Sequence, residues 1–194
     1  SWTSMPGGFT AFSIIVSTKV SGPLLASDYN LYNPSQRNGT TMVRMSDLAG
    51  EEKQHLLHLE CPTFETSSFV DGPPLRARRV AVISTAGLQL RDDRPFARGD
   101  ADYRVFHRDT PAEDIVMSHI SVNFDRTGYQ QDLNVVFPIE RLGEMATEKI
   151  IGSVADYHYS FMGATDPAEM APLVRKIAGF LKEYQVNAVL LAPV

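Results

Sequence analysis

Apolar and polar positions divide the chain near residue 42. Before that point the sequence carries only Lys19, Asp28 and Arg37 as charges, holds no sustained period of 2 or 3.6, and is rich in Ser, Gly, Pro and Asn. Such a stretch offers no continuous apolar face to bury. Residues 1–41 are therefore predicted to be a poorly ordered or non-native N-terminal extension, and residues 42–194 to be part of one α/β unit.

From Met45 onward the pattern sharpens. Ser46 and Asp47 are candidate caps for a short helix over 46–59, stopped by Pro62, and a Pro-containing loop follows to Leu75. Residues 79–85 (Arg-Val-Ala-Val-Ile-Ser-Thr) are almost continuously apolar, the pattern of a strand covered on both faces, and Ala86-Gly87 turns the chain out of it. Residues 91–114 are charged and contain Gly and Pro, with a short strand expected at 103–106; so long a connection is usually functional when ordered. Asn134-Val135-Val136-Phe137 reads either as a strand or as an apolar lead into the helix that Pro138 opens. That helix carries Ile139, Leu142, Met145 and Ala146 on one face.

Residues 151–155 read as a strand that continues toward Phe161. Asp166-Pro167-Ala168-Glu169 then supplies a cap, a proline at the first helical position and an acid three residues after the cap. Met170, Leu173, Val174, Ile177, Leu181 and Tyr184 form the stripe of this helix, which Pro172 is expected to kink or to delay. Residues 186–194 close the chain as another buried strand. Strand, helix, strand, helix, strand in this order predicts an α/β fold. The sheet is open and mostly parallel (flavodoxin- or Rossmann-like), with flanking helices, right-handed crossovers and an incomplete C-terminus.

Composition narrows the function classes. A net charge of -5 argues against a general nucleic-acid binder, and the cluster Arg76, Arg78, Arg79 is too short to reverse that. The single cysteine, Cys61, excludes an internal disulfide, a CxxC pair and a multi-cysteine zinc site within these residues. It fits a reducing compartment, and a cytoplasmic location is expected. No apolar run reaches the roughly 18–20 residues needed to span a bilayer, and the run 11–16 lacks the flanks of a signal peptide. No nucleotide-binding glycine fingerprint follows any strand. Ligands of open parallel sheets bind beyond the carboxyl ends of the strands, which draws attention to Thr85 and to residues 160–166, Thr165 and Asp166 included.

Three long motifs carry a resemblance. They are Gly99-Asp100-Ala101-Asp102-Tyr103-Arg104; Ser118-His119-Ile120-Ser121-Val122-Asn123-Phe124-Asp125-Arg126 with Gly128, Asp132, Asn134, Phe137 and Pro138; and Ile151-Gly152-Ser153-Val154-Ala155 with Tyr159 to Pro167. Together with the closing Val189-Leu190-Leu191-Ala192-Pro193-Val194, they resemble the glycine, sarcosine, betaine and D-proline reductase selenoprotein B family, closest to its proline-reductase-like branch. The likeness covers roughly residues 42–194.

The resemblance implies a subunit of a reductase that cleaves a carbon–nitrogen bond of an amino acid or amine. It implies a selenocysteine or cysteine directly after this last strand, a second cysteine two residues on, a pyruvoyl group on a partner subunit and a dithiol or thioredoxin-type electron donor. A selenol or thiol at a strand end, facing the start of a helix, is stabilised in its ionised, nucleophilic form. A chain beginning at Ser1 and stopping at Val194 is then expected to be a reading frame cut at an opal codon, and to be inactive as it stands.

Individual residues keep two readings each. His119, Asp125 and Arg126 are candidate catalytic residues, with Arg126 a fork for a substrate carboxylate and His119 a proton carrier. Equally, Asp125 and Arg126 form a structural pair that caps and answers one turn. Thr85, Thr165 and Asp166 are candidate substrate-binding residues, although Asp166 reads first as a helix cap. His158, between two tyrosines, reads first as a packed strand residue, and Cys61 as an incidental thiol. A metal site of His119, Asp125 and His158 is the minor alternative, since its spacing matches no tight motif. A non-catalytic binding or scaffold subunit is the main rival.

Overall fold

A computed structural model of the chain describes residues 13–16, 46, 48–58, 71–121 and 126–194. It divides into two units, residues 21–67 and residues 1–20 with 68–194. In the smaller unit the helix is α1 (Gly50–Leu57), within the predicted span 46–59. Asp47, Leu59, Cys61 and Pro62 lie outside the described residues, as do 1–12 and 17–41.

The larger unit is built on a six-stranded sheet. Its strands are β1 (Ser13–Val16), β2 (Arg79–Ser84), β4 (Tyr103–His107), β6 (Ser153–Val154), β7 (Tyr157–Phe161) and β8 (Ala188–Ala192), in the order β1-β8-β2-β7-β4 with β6 beside the start of β2. All pairs are parallel except β4 with β7. The α/β, mostly parallel architecture predicted from the alternating pattern is what forms, and β2 lies between the later strands as its apolar run requires. Val80, Ala81 and Val82 are buried on both faces.

Several local features depart from the sequence pattern. β1 pairs with β8 through Ser13 to Val16, inside the stretch that shows no sustained period. The predicted strand 151–161 is broken at Ala155-Asp156 into β6 and β7, and residues 133–135 make a 3₁₀ turn that leads into the next helix. A separate antiparallel pair, β3 (Leu88–Leu90) with β5 (Ile115–Met117), has only three residues a side, too few to show a period.

Two helices cover opposite faces. After the short α2 (Thr127–Gln131), α3 (Ile139–Thr147) places Leu142 with Val80, Val82, Phe106 and Phe137. Helix α4 (Pro167–Glu183) places Ile177 and Leu181 with Ala81, Tyr159 and Val189 on the other face. Pro172 lies inside α4 rather than at its start. Val174 and Tyr184, counted in the stripe by spacing, remain exposed, so the buried face is narrower than predicted. Both helices end in the same way. Lys149 and Gln185 adopt left-handed φ values of 60° and 57°, and the Ile150 and Val186 amides donate back to Met145 and Leu181 at 2.9 and 2.8 Å. These stops aim the chain into β6 and β8.

The winding leaves a crevice at one end of the sheet. β2 and β7 are neighbours, yet the connection leaving β2 leads to α3 on one face and the connection leaving β7 leads to α4 on the other. Chain therefore parts at the carboxyl ends of β2 and β7, the switch point at which open α/β sheets form their crevice. Among the described residues no helix is long and apolar enough to cross a membrane.

Candidate functional site

At the switch point Thr85 ties three strand ends together. Its amide donates to the Ala192 carbonyl at 3.1 Å, its carbonyl accepts from the Gly163 amide at 2.9 Å, and its Oγ1 accepts from the Val194 amide at 2.9 Å. The end of β8 is thus held against the turn after β7. A glycine is required at 163, since a Cβ there would stand 2.8 Å from the carbonyl oxygens of both Thr85 and Val194. Thr85→Val keeps the shape of the side chain and removes the acceptor. It should cost about 1 kcal/mol and speed hydrogen exchange at the Val194 amide, and unchanged exchange there would refute the clasp.

Gly87 performs the second close approach. Its φ of +64° suits glycine, and a Cβ would meet the His119 backbone and the Met162 methyl at 3.1 Å. Its amide donates to the Phe161 carbonyl and its carbonyl accepts from Ser118, so the 118–121 segment is laid across the mouth of the crevice. Ser118 is fixed further by its hydroxyl, which donates to Gln89 at 2.7 Å and accepts from the Phe96 amide at 2.9 Å.

His119 is buried, and its Nδ1 accepts from the Ser121 amide at 3.1 Å. That bond puts the proton of the neutral ring on Nε2. Burial pushes its pKa below the ordinary histidine value, and the Arg126 charge pushes the same way, so at neutral pH the ring is a neutral hydrogen-bond donor through Nε2. Arg126 donates from one guanidinium nitrogen to the carbonyls of His119 and Ser121, at 2.6 and 2.9 Å. It therefore straps the segment that carries His119. Asp125, the residue expected to pair with it, lies outside the described residues.

The remaining sequence candidates fall on structural duties. Thr165 is buried and its hydroxyl donates to the Asp100 carbonyl at 2.7 Å. Asp166 caps α4, as predicted, accepting from the Ala168 amide at 2.8 Å. His158 is fully buried in β7, away from the mouth of the crevice, with its Nδ1 accepting from the Val82 amide at 3.0 Å. Among the described residues no group of three or more His, Cys, Asp or Glu could hold a metal.

The loop 94–102, part of the charged connection in which the sequence showed the Gly99–Arg104 motif, forms the outer wall. Arg94 pairs with Asp100 and Asp102, Arg104 pairs with Asp102, and the Arg104 guanidinium stacks 4.3 Å over Phe96. Between this loop, the 118–121 segment and the turn after β7 lies an open groove of about 400 Å³, lined by Arg98, Ile120, Ser121 and Ala164. The sequence signal for this wall was present in Gly99, whose φ of +80° turns the loop tip, but spacing alone did not attach it to residue 164.

Comparison with known proteins falls on the same segments. Residues 94–194 match the glycine/sarcosine/betaine reductase selenoprotein B family, which covers the groove loop, the His119 segment and the ends of β7 and β8. The chain is 32% identical over 123 residues to the D-proline reductase subunit gamma of Acetoanaerobium sticklandii, an alignment covering 60% of this chain and 49% of that protein. It is 36% identical over 69 residues to the glycine reductase complex component B subunit gamma of Symbiobacterium thermophilum, covering 35% of this chain and 16% of that protein. The chain thus spans about half the length of the first relative and less of the second. No solved structure matches it.

Proposed function

This chain belongs to the glycine/sarcosine/betaine reductase selenoprotein B family, and on that premise we propose that its parent protein is a subunit of a reductase complex cleaving a carbon–nitrogen bond of an amino acid or amine. The supporting observation is the clasp of Thr85 and Gly163 on Val194, which directs the end of β8 into the crevice at the β2/β7 switch point. A selenocysteine or cysteine following that strand in the parent protein would leave it beside the 118–121 segment. Breaking the bond requires two electrons and two protons, which a dithiol supplies as it is oxidised to a disulfide. A selenol or thiol supplies the nucleophile, and a pyruvoyl group on a partner subunit an electrophile for the amine. This chain's own contribution is to hold the strand end, to keep His119 neutral with its proton on Nε2, and to back the crevice with the buried Met162.

The test is dithiol-dependent turnover of D-proline, glycine or betaine by the chain extended with its native sequence past Val194, read through as selenocysteine or carrying cysteine, with the partner subunits present. Activity should appear with the extension and be absent from the 194-residue chain. Cys61 is its only cysteine and belongs to no CxxC pair. Cys61→Ser should therefore change nothing in the extended protein. Turnover by the 194-residue chain that disappears in Cys61→Ser would move the active site elsewhere.

A further inference from the structure

We propose that Gln89 is the positioning residue for His119 and acts through Ser118. Strand β3 is only three residues long, and on it Gln89 is buried beside the fully buried Leu88. A side-chain amide is costly to bury unless its groups are paired, and an apolar residue would serve the strand as well. The polar atoms of Gln89 reach instead to chain outside the β3–β5 pair. Its Oε1 accepts from the Ser118 hydroxyl at 2.7 Å and from the Phe96 amide at 3.2 Å, and its Nε2 donates to the Asp93 carbonyl at 3.3 Å. A backbone amide only donates, so Phe96 fixes which way round the glutamine amide sits.

Ser118 is thereby directed as well as packed. Its Oγ accepts from the Phe96 amide at 2.9 Å, which leaves its own proton for Gln89, and its amide donates to the Gly87 carbonyl at 2.9 Å. His119 is the next residue, with its backbone against Gly87 and its Nδ1 accepting from the Ser121 amide. Arg126 secures the chain at and after His119, through the carbonyls of His119 and Ser121. Gln89 supplies the anchor before it. Because one oxygen takes both Phe96 and Ser118, the 94–102 loop and the His119 segment share that anchor and shift together if it is lost. The anchor stands on the fold alone, whereas its consequence for turnover rests on the proposed function.

The experiment compares the native chain with Gln89→Met, which keeps the side-chain length and removes the acceptor, by amide hydrogen exchange and by nitrogen NMR of the His119 ring. Exchange at the Ser121 amide should speed by about tenfold or more beyond any change at the Val82 amide in the core. The single Nε2–H tautomer of His119 should give way to a mixture. Ser118→Ala removes the donor from the other side of the same bond and should act alike, and the double variant should add little to either. In the extended protein with its partner subunits, Gln89→Met should lower turnover by about tenfold or more at an unchanged folded fraction. Parallel changes at Ser121 and Val82 with the tautomer kept would overturn the proposal and leave Gln89 a packing residue. Full additivity of the two variants would overturn the route through Ser118. Lost Ser121 protection with undiminished turnover would uphold the anchor and remove His119 from the proposed reaction.

Discussion

Replacing His158 by alanine is expected to destabilise the larger unit by about 3–5 kcal/mol, because it removes a buried acceptor and opens a cavity in the core. The acceptor matters because the ladder beside β2 is interrupted there. Arg79 and Val80 pair with β6, Ile83 and Ser84 pair with β7, and the chain bulges at Ala155-Asp156 between them. The Val82 amide faces that gap, and the His158 Nδ1 fills it at 3.0 Å. The ring packs at right angles to Phe137, 6.0 Å between centroids, and lies opposite Phe106 in the β4–β7 register. His158→Asn places Oδ1 near the same position and should recover part of the loss. Equal urea midpoints for the alanine and asparagine variants would show that the Val82 bond contributes nothing.

The same ring makes stability depend on pH. Burial lowers its pKa from 6.5 to about 4, so the folded state resists a proton that the unfolded chain accepts. Below 6.5 the unfolded state therefore binds more protons, and stability must fall as pH falls. Its contribution is complete above about 6.5, is lost progressively down to about 4, and changes no further below that. The interval corresponds to about 3 kcal/mol. His119, also lowered by burial, adds a slope of the same sign, so the informative quantity is the difference between the native chain and His158→Asn. Parallel pH profiles for the two would remove His158 as the cause.

Gly163→Ala should cost about 1–3 kcal/mol, the opposite sign to the usual effect of replacing a glycine. Elsewhere alanine reduces the freedom of the unfolded chain and stabilises. Here the added carbon meets two carbonyl oxygens at 2.8 Å and the Thr85 Cβ at 3.0 Å, and two of these three atoms belong to backbone fixed in strand ends. The strain is relieved only if β8 retreats from Thr85. The variant should therefore lose protection at the Val194 amide along with stability, and in the extended protein it should lose turnover more than it loses folded population. Gly179→Ala, on α4 with open space around its position, is the matched control and should be neutral or stabilising. An unchanged or raised urea midpoint in Gly163→Ala would mean that the clasp is soft.

Much of this was legible along the chain, for definite reasons. The buried strands β2 and β8, the helices α3 and α4, and the Asp166 cap depend on local spacing and on the first few residues of each element, so composition and period determine them. The family motifs are long contiguous runs and were equally readable. Tertiary structure decided the rest, because it brings together residues with no local signal between them. Thr85, Gly163 and Val194 are 31 or more positions apart and meet only because α3 and α4 wind to opposite faces of the sheet. Arg98 comes to face Ala164 across a loop whose three arginine–aspartate contacts no periodicity reports. His158 looks the same in sequence whether it packs, ligates or transfers protons. Its position in the gap between β6 and β7 makes it an internal hydrogen-bond acceptor, and a single chain of letters carries no record of that gap.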